Sequence, residues 1–196
     1  MLDRTAEFAI ATAEWLRQFE NRLVESRFVE SRLANADQAG LRPLFHPESY
    51  WRDLLALSWN LQTRNGADAI LSELQACAMG ARPHAFRIDP NRAAPRLVTR
   101  AGTDAIEAIF RFETVLGRGS GILRLTPDSA DGHRLKAWTL LTALDELKGF
   151  EEQLGRSRPR GQAYSRDFRG PNWLDQRREA LESAPCRGGD RRQRHS

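Results

Sequence analysis

Residues 105–114 carry a period of two: Ile106, Ala108, Phe110 and Phe112 fall on one side, Glu107, Arg111 and Glu113 on the other. A period of two is the pattern of a strand with one face buried. The opening of the chain keeps a different period. Phe8, Thr12, Trp15, Leu16, Phe19 and Leu23 recur at steps of three and four, with Glu14, Arg17, Gln18, Asn21 and Arg22 between them, which is one apolar stripe on a helix. A chain that passes from helical to strand period folds as helices laid on one face of an antiparallel or mixed sheet, an α+β plan. If the sheet curves and the helices close one side, a conical cavity results, and such a cavity suits a small molecule.

In chain order, the first helix runs into a tandem duplication, Val24-Glu-Ser-Arg-Phe28 and Val29-Glu-Ser-Arg-Leu33. Its five-residue period is too short for a solenoid unit and reads as a lengthened helix and turn. A second short helix is expected over residues 38–45, with Pro43 awkward inside it. His46-Pro47 breaks that helix, and a strand follows with a bend near Leu57. Asn65-Gly66 signals a turn. Residues 67–79 form a third helix, with Ile70, Leu71, Leu74 and Ala78 inward and Gly80 as its C-cap. Short strands follow over residues 84–89 and 96–100. Gly117-Arg-Gly-Ser-Gly121 reads as a hairpin connection, too glycine-rich for a strand, leading to a strand over residues 122–126. After a turn at 128–132, a long strand over 134–145 puts Leu135, Ala137, Thr139 and Leu141 on one face. The other face carries Lys136, Trp138, Leu140, Thr142 and Leu144. The expected architecture is a cone-like curved mixed or antiparallel sheet, about three N-terminal and covering helices, and an extended C-terminal tail. The expected divisions are 1–150 for the cone, 151–180 for a connector and 181–196 for a basic tail.

Charge narrows the function classes. The net charge is +4, yet residues 155–196 alone hold eleven arginines against five acids, so the globular part is near neutral. A basic tail attracts phosphates without selecting them, and no aromatic ladder interleaves with it, so specific nucleic-acid recognition is not expected. No apolar run approaches the roughly 20 residues of a membrane span, and the acidic N-terminus lacks signal-peptide order. Cys77 and Cys186 have no metal-ligand spacing. A cytoplasmic protein without a metal follows.

The most chemically loaded stretch is His46-Pro-Glu-Ser-Tyr-Trp-Arg-Asp-Leu-Leu-Ala-Leu-Ser-Trp-Asn60. Trp51 and Asp53, two apart on a strand, look to the same face, and aromatic side chains with a polar handle suit a pocket wall. The plainer alternative is that Asp53 is a surface or turn carboxylate paired with an arginine.

Taken together, Leu44-Phe45-His46, Tyr50-Trp51-Arg52-Asp53 and Asn65-Gly66-Ala67-Asp68-Ala69-Ile70 resemble the opening of a nuclear-transport-factor-2-like (SnoaL-like) domain, over roughly residues 11–147. The longer phrases Phe45-His-Pro-Glu-Ser-Tyr-Trp-Arg-Asp-Leu-Leu-Ala-Leu57, Phe110-Arg-Phe-Glu-Thr114, Trp138-Thr-Leu-Leu-Thr-Ala-Leu-Asp-Glu-Leu-Lys-Gly149 and Tyr164-Ser-Arg-Asp-Phe-Arg-Gly-Pro-Asn-Trp-Leu174 resemble the N-terminal region of bacterial flavin-containing monooxygenases. That resemblance implies an accessory domain preceding an FAD- and NADPH-binding part. No dinucleotide fingerprint is present in this chain, so both cofactors would belong to a missing downstream domain. The codons of residues 187–195 can be chosen so that the next frame reads Val-Val-Val-Ile-Gly-Gly-Ser-Gly-Ile, the opening of a dinucleotide fold, so a frameshifted terminus is expected.

Related folds host isomerases, dehydratases and cyclases, which implies a second reading as a stand-alone cavity protein for a small hydrophobic ligand. Asp53 would be the base, His46 its partner or the acid, and Tyr50 a donor to a developing oxyanion. The pocket would be lined by Trp15, Trp51, Trp59, Phe110, Phe112, Glu113, Trp138 and Thr142. The alternatives remain open: His46 capping a helix end, Trp59 and Trp138 as core, Glu113 paired with Arg111 or Arg124. A third reading is a homodimer through the outer face of the sheet, which a polar face would weaken.

Overall fold

A computed structural model describes residues 4–25, 40–152 and 170–183. The helix of the opening stripe is α1, Arg4–Glu25, and it buries Thr12, Trp15, Leu16, Phe19 and Leu23 as the spacing predicts. The duplicated segment lies mostly outside the described residues. The second helix expected up to residue 45 does not reach that far. Arg42–Leu44 is a 3-10 turn with Pro in its first positions, and Phe45 already starts a strand. The proline ring forbids the α-helical hydrogen bond there, so the chain tightens and then extends.

Seven strands form one open sheet, in the order β2-β1-β7-β6-β5-β3, with β4 beside β3 on the same edge of β5. They are β1 (Phe45–Leu54), β2 (Leu61–Asn65), β3 (His84–Ile88), β4 (Arg96–Arg100), β5 (Thr103–Glu113), β6 (Gly117–Asp128) and β7 (Arg134–Leu147). All pairs are antiparallel except β1 with β7. The sheet is mixed, and the fold is the expected α+β cone plan. Between β2 and β3 runs α2, Ala67–Ala81, which buries Ile70, Leu71, Leu74 and Ala78. It ends at Arg82 in the left-handed conformation, with Gly80 still helical. Residues 153–196 form a second unit, in which α3, Trp173–Ser183, starts from Asn172, whose side chain accepts from the Leu174 and Asp175 amides.

The run Gly117–Gly121 belongs to β6 rather than to a connection. Its glycines occupy every second position, all on the inner face, where Phe110 stands opposite Gly121 and Phe112 opposite Gly119. A Cβ at Gly119 would sit 2.6 Å from the Phe112 ring and 2.6 Å from the Ala143 carbonyl. Glycine leaves the space into which the two rings fold across the strand. The reversal itself lies one step earlier: the Thr114 amide donates to the Gly117 carbonyl at 2.8 Å, and the Gly117 amide to Thr114 Oγ1 at 2.9 Å.

β7 departs from strict alternation too. Its register against β6 shifts between Leu125↔Ala137 and Arg124↔Thr139, so Trp138 is the extra residue of a bulge. Ala137 therefore faces inward together with Leu140 and Thr142, while Thr139 and Leu141 face outward. The single-face assignment expected over 134–145 is split by that one residue.

Inside, α1 lays Trp15 and Phe19 against the sheet. Trp15 stacks on Phe19 at 4.9 Å between centroids, and Phe19 meets Phe45 and Phe86 edge-on at 6.0 and 5.3 Å. Phe86 continues onto Phe112 at 5.2 Å. Six aromatic rings, Phe110 included, thus occupy the region that the cone reading left for a ligand. Trp15 Nε1 donates to the Leu44 carbonyl at 2.9 Å, so its polar handle is used to pin the helix to the start of β1.

α1 also holds β3 through Glu20, whose two carboxylate oxygens accept from the Ala85 and Phe86 amides at 2.9 and 3.0 Å. Ala85 has φ +56°, a conformation costing an L residue about 1 kcal/mol. Glu20→Gln keeps the shape but turns one acceptor into a donor facing an amide. The expected loss is about 1–2 kcal/mol, read as a lower denaturant midpoint. An unchanged midpoint would remove Glu20 from the account of β3.

Candidate functional site

Trp51 and Asp53 share a face as the spacing predicts, and Thr142 joins them, but in a closed structural node. Trp51 and Asp53 both point inward and are fully buried. Trp51 Nε1 donates to Thr142 Oγ1 at 2.9 Å, and Thr142 Oγ1 donates to Asp53 Oδ1 at 2.6 Å. The remaining capacity of the carboxylate is taken by the turn that follows β1. The Leu57 amide reaches both oxygens at 3.2 and 3.1 Å. Ser58 adds its amide at 2.8 Å and its hydroxyl at 2.6 Å.

That turn is strained. Leu55 and Trp59 both have positive φ, +63° and +58°, in the region that disfavours residues with a Cβ. A buried carboxylate accepting from two turn amides and a turn hydroxyl holds the chain there. Asp53 is the turn carboxylate of the plainer alternative, with an interior position and hydroxyl and amide partners where an arginine was expected.

The other expected site residues scatter. Tyr50, three positions before Asp53, faces the opposite side of the sheet and is 43% exposed. His46 lies seven residues before Asp53, within the irregular part of β1 between Phe45 and Tyr50; its Nδ1 accepts from the Glu48 amide at 3.3 Å. It caps neither a helix nor the carboxylate. Trp59 is half exposed in the turn. Trp15, Phe110 and Phe112 are core rings, and Trp138 sits half-buried at its bulge. Glu113 pairs with Lys148 at 3.0 Å rather than with either arginine. The lysine, through its hydrogen bond, holds the Glu113 carboxyl below the ordinary carboxylate range.

Four strands build a shelf on the outer face. Across β2, β1, β7 and β6 the register aligns Thr63, Arg52, Leu141 and Ile122 in one row, and Asn65, Tyr50, Thr139 and Arg124 in the next. Tyr50, Arg52, Thr63, Ile122, Arg124, Thr139 and Leu141 line one concavity of about 370 Å³. Its floor is apolar, and its rim carries hydroxyls and two guanidiniums. Arg124 is committed, at 2.8 Å from Glu107. Among the described residues, the Arg52 guanidinium and the Tyr50 and Thr63 hydroxyls make no side-chain hydrogen bond or ion pair. Sequence alternation already contains this pair of faces, since Tyr50 and Arg52 alternate with Trp51 and Asp53. The inward pair is the more apolar and aromatic of the two, which hides the outward one in the sequence.

Beyond the shelf, Glu107 is nearly buried among Arg96, Arg100 and Arg124. Burial pushes its carboxyl up, but the arginines, Arg124 first among them, outweigh that and hold it below the usual range. At the far end of β6, the hydrogen bond from Lys136 and then the Ala130 amide keep the Asp128 carboxyl low. A carboxyl whose folded pKa is lowered adds stability above its unfolded value of about 4 and loses it as pH falls toward the folded value. Melting temperature is therefore expected to drop between pH 5 and pH 3 by the usual acid linkage, with a shallower fall in Lys136→Met. A melting temperature that rises on acidification would refute the sign.

Among the described residues no group of three or more His, Cys, Asp or Glu is placed to hold a metal ion, and no helix is long and apolar enough to cross a membrane. Cys77 is a free thiol beside Glu73; burial first, then the Glu73 charge, pushes it up to about 12, so it is no nucleophile at neutral pH.

No protein-family model matches this chain, and no curated protein does. Among solved structures, it is similar to a nuclear transport factor 2-like superfamily protein from Salmonella enterica, at 12% identity over 71% of this chain and 92% of the other, with a TM-score of 0.44. A steroid delta-isomerase from Pseudomonas aeruginosa matches at 18% identity over 74% and 83%, with a TM-score of 0.39.

Proposed function

We propose that the chain is a non-catalytic small-molecule-binding module of nuclear-transport-factor-2-like plan, and that its ligand lies on the outer shelf of the sheet. The observation that carries this reading is the contrast in hydrogen-bonding capacity between the two faces. Asp53, the interior acid a proton-transfer enzyme would need, has its oxygens occupied by Leu57, Ser58 and Thr142. General-base chemistry needs that oxygen within reach of a substrate proton, and here protein donors stand in its place. The shelf has the reverse character: an apolar floor with convergent polar groups left over, the usual make-up of a ligand site. The narrower likeness to flavin monooxygenase N-terminal regions rests on the residue phrases, and neither structure named above is described as one. A binding module is compatible with a free-standing chain or with one part of a larger enzyme.

Backbone amide shifts under titration with 4-phenylbutyrate and 4-phenylbutanol test it. Changes concentrated at Tyr50, Arg52, Thr63, Ile122, Thr139 and Leu141 are expected from at least one of the two. Changes centred on Asp53, Leu57 and Thr142 with the shelf silent, or no changes at millimolar probe, would defeat the reading.

A further inference from the structure

We infer that the shelf selects an amphipathic carboxylate, with Arg52 as the group that recognises the anion; this rests on the ligand-binding reading above. Arginine rarely stands unpaired over an apolar surface, because its planar fork finds carboxylate partners readily. On this sheet the neighbouring arginines have done so. Arg64 holds Glu73 on α2, Arg124 holds Glu107, and Arg118 holds Glu146 and Glu151. Arg52 has no such partner among the described residues. Its cross-strand neighbours are Thr63 on one side and Leu141 on the other: a hydroxyl that can share the anion and the start of an apolar track.

That track has a direction. Leu141 pairs with Ile122 and Ile122 with Ile109, so three aliphatic side chains line up away from Arg52 across successive strands, about 5 Å per step. A carboxylate held in the Arg52 fork would lay an alkyl or aryl body along Leu141 and Ile122. The Tyr50 hydroxyl, two residues along β1 on the same face, is a second donor to the same head group. On the same outer face as Arg52, the guanidiniums of Arg96, Arg100 and Arg124 share the single carboxylate of Glu107, so the field over this half of the sheet favours an anion before contact. A monocarboxylate fits better than a larger polyanion, because only Arg52 of these guanidiniums is unclaimed.

Isothermal titration of the full chain separates the possibilities. The probes are 4-phenylbutyrate and the neutral 4-phenylbutanol, against wild type, Arg52→Gln and the control Arg96→Gln. Expected are acid binding at least tenfold tighter than alcohol, loss of that preference in Arg52→Gln at an unchanged melting temperature, and near wild-type behaviour in Arg96→Gln. Equal binding of acid and alcohol, abolished by Ile122→Asp, would overturn the carboxylate inference and leave the binding reading standing. So would equal losses in Arg52→Gln and Arg96→Gln, which would make the anion preference a diffuse field effect. No binding of either probe would overturn both. In that case a concentration-dependent dimer in sedimentation, broken by Ile122→Asp, would assign the face to a second copy of the chain.

Discussion

Gly121→Ala is expected to cost about 3 kcal/mol, near the upper end for inserting a methyl into a packed interior, and to leave much of the protein unfolded if its total stability lies in the ordinary range of 5–15 kcal/mol. The added Cβ would collide with the Leu141 carbonyl of the neighbouring strand and with the Phe110 ring at once. The carbonyl belongs to a ladder bond and cannot retreat without breaking β6 from β7. The ring is fully buried and touches both Phe86 and Phe112, so it cannot turn aside either. Gly119→Ala is the milder sibling, since its clash at 2.6 Å is with the far end of Phe112 and one carbonyl. Chemical denaturation of the two variants should rank them in that order. The double change Gly121→Ala with Phe110→Leu should recover part of the loss, because the cavity terms then oppose each other. Equal stability of Gly121→Ala and wild type would mean that the run is a loop after all.

The same run shows where sequence reading stops. Period-two placement of Gly117, Gly119 and Gly121 was present in the chain all along, and strand composition argued against it because glycine is normally depleted there. What reverses that preference is the neighbouring strands: Phe110 and Phe112 need the volume that Cβ atoms at Gly121 and Gly119 would fill, Leu144 crowds Gly117 in the same way, and register is a tertiary fact. Helix α1 was legible because five of its stripe residues go into one core. The inward pairing of Trp51 with Asp53 was legible because alternation alone decides it. The bulge at Trp138 was not, since one extra residue in β7 leaves no mark in hydrophobic pattern. Nor was the role of Asp53. A carboxylate beside a tryptophan reads as chemistry until the turn after it is seen with Leu55 and Trp59 in left-handed conformations. In sequence Tyr50 has the chemistry of a catalytic donor and Arg52 does not stand out, since an outward arginine on a strand looks solvated until the arginines around it are seen to be paired.

Asp53→Ala is the change that separates a pinned turn from an acid–base site. Four donor groups from Leu57, Ser58 and Thr142 lose their acceptor, of which the Thr142 hydroxyl is fully buried and also holds the Trp51 indole. Buried donors left unmatched cost about 1–3 kcal/mol each, partly relieved by water at the half-exposed Ser58, so a total of about 3 kcal/mol is expected. Asp53→Asn should fall between, because an amide oxygen still serves one or two donors while its NH2 faces the others. If the carboxylate pins the turn, removing the strain it opposes should restore stability: Trp59→Gly, which relaxes a φ of +58° at an exposed position, is expected to regain about 1 kcal/mol in the Asp53→Asn background. A catalytic carboxylate makes the opposite prediction, in which Asp53→Asn folds as stably as wild type and loses only turnover or interior ligand binding. Denaturant midpoints of the four proteins, read beside the amide shifts of Tyr50 and Arg52 under 4-phenylbutyrate, decide between them. Loss of midpoint with the shelf still responding in the folded fraction makes Asp53 a structural pin and leaves the outer face as the working surface. Unchanged midpoints with a silenced shelf would return the chemistry to the interior.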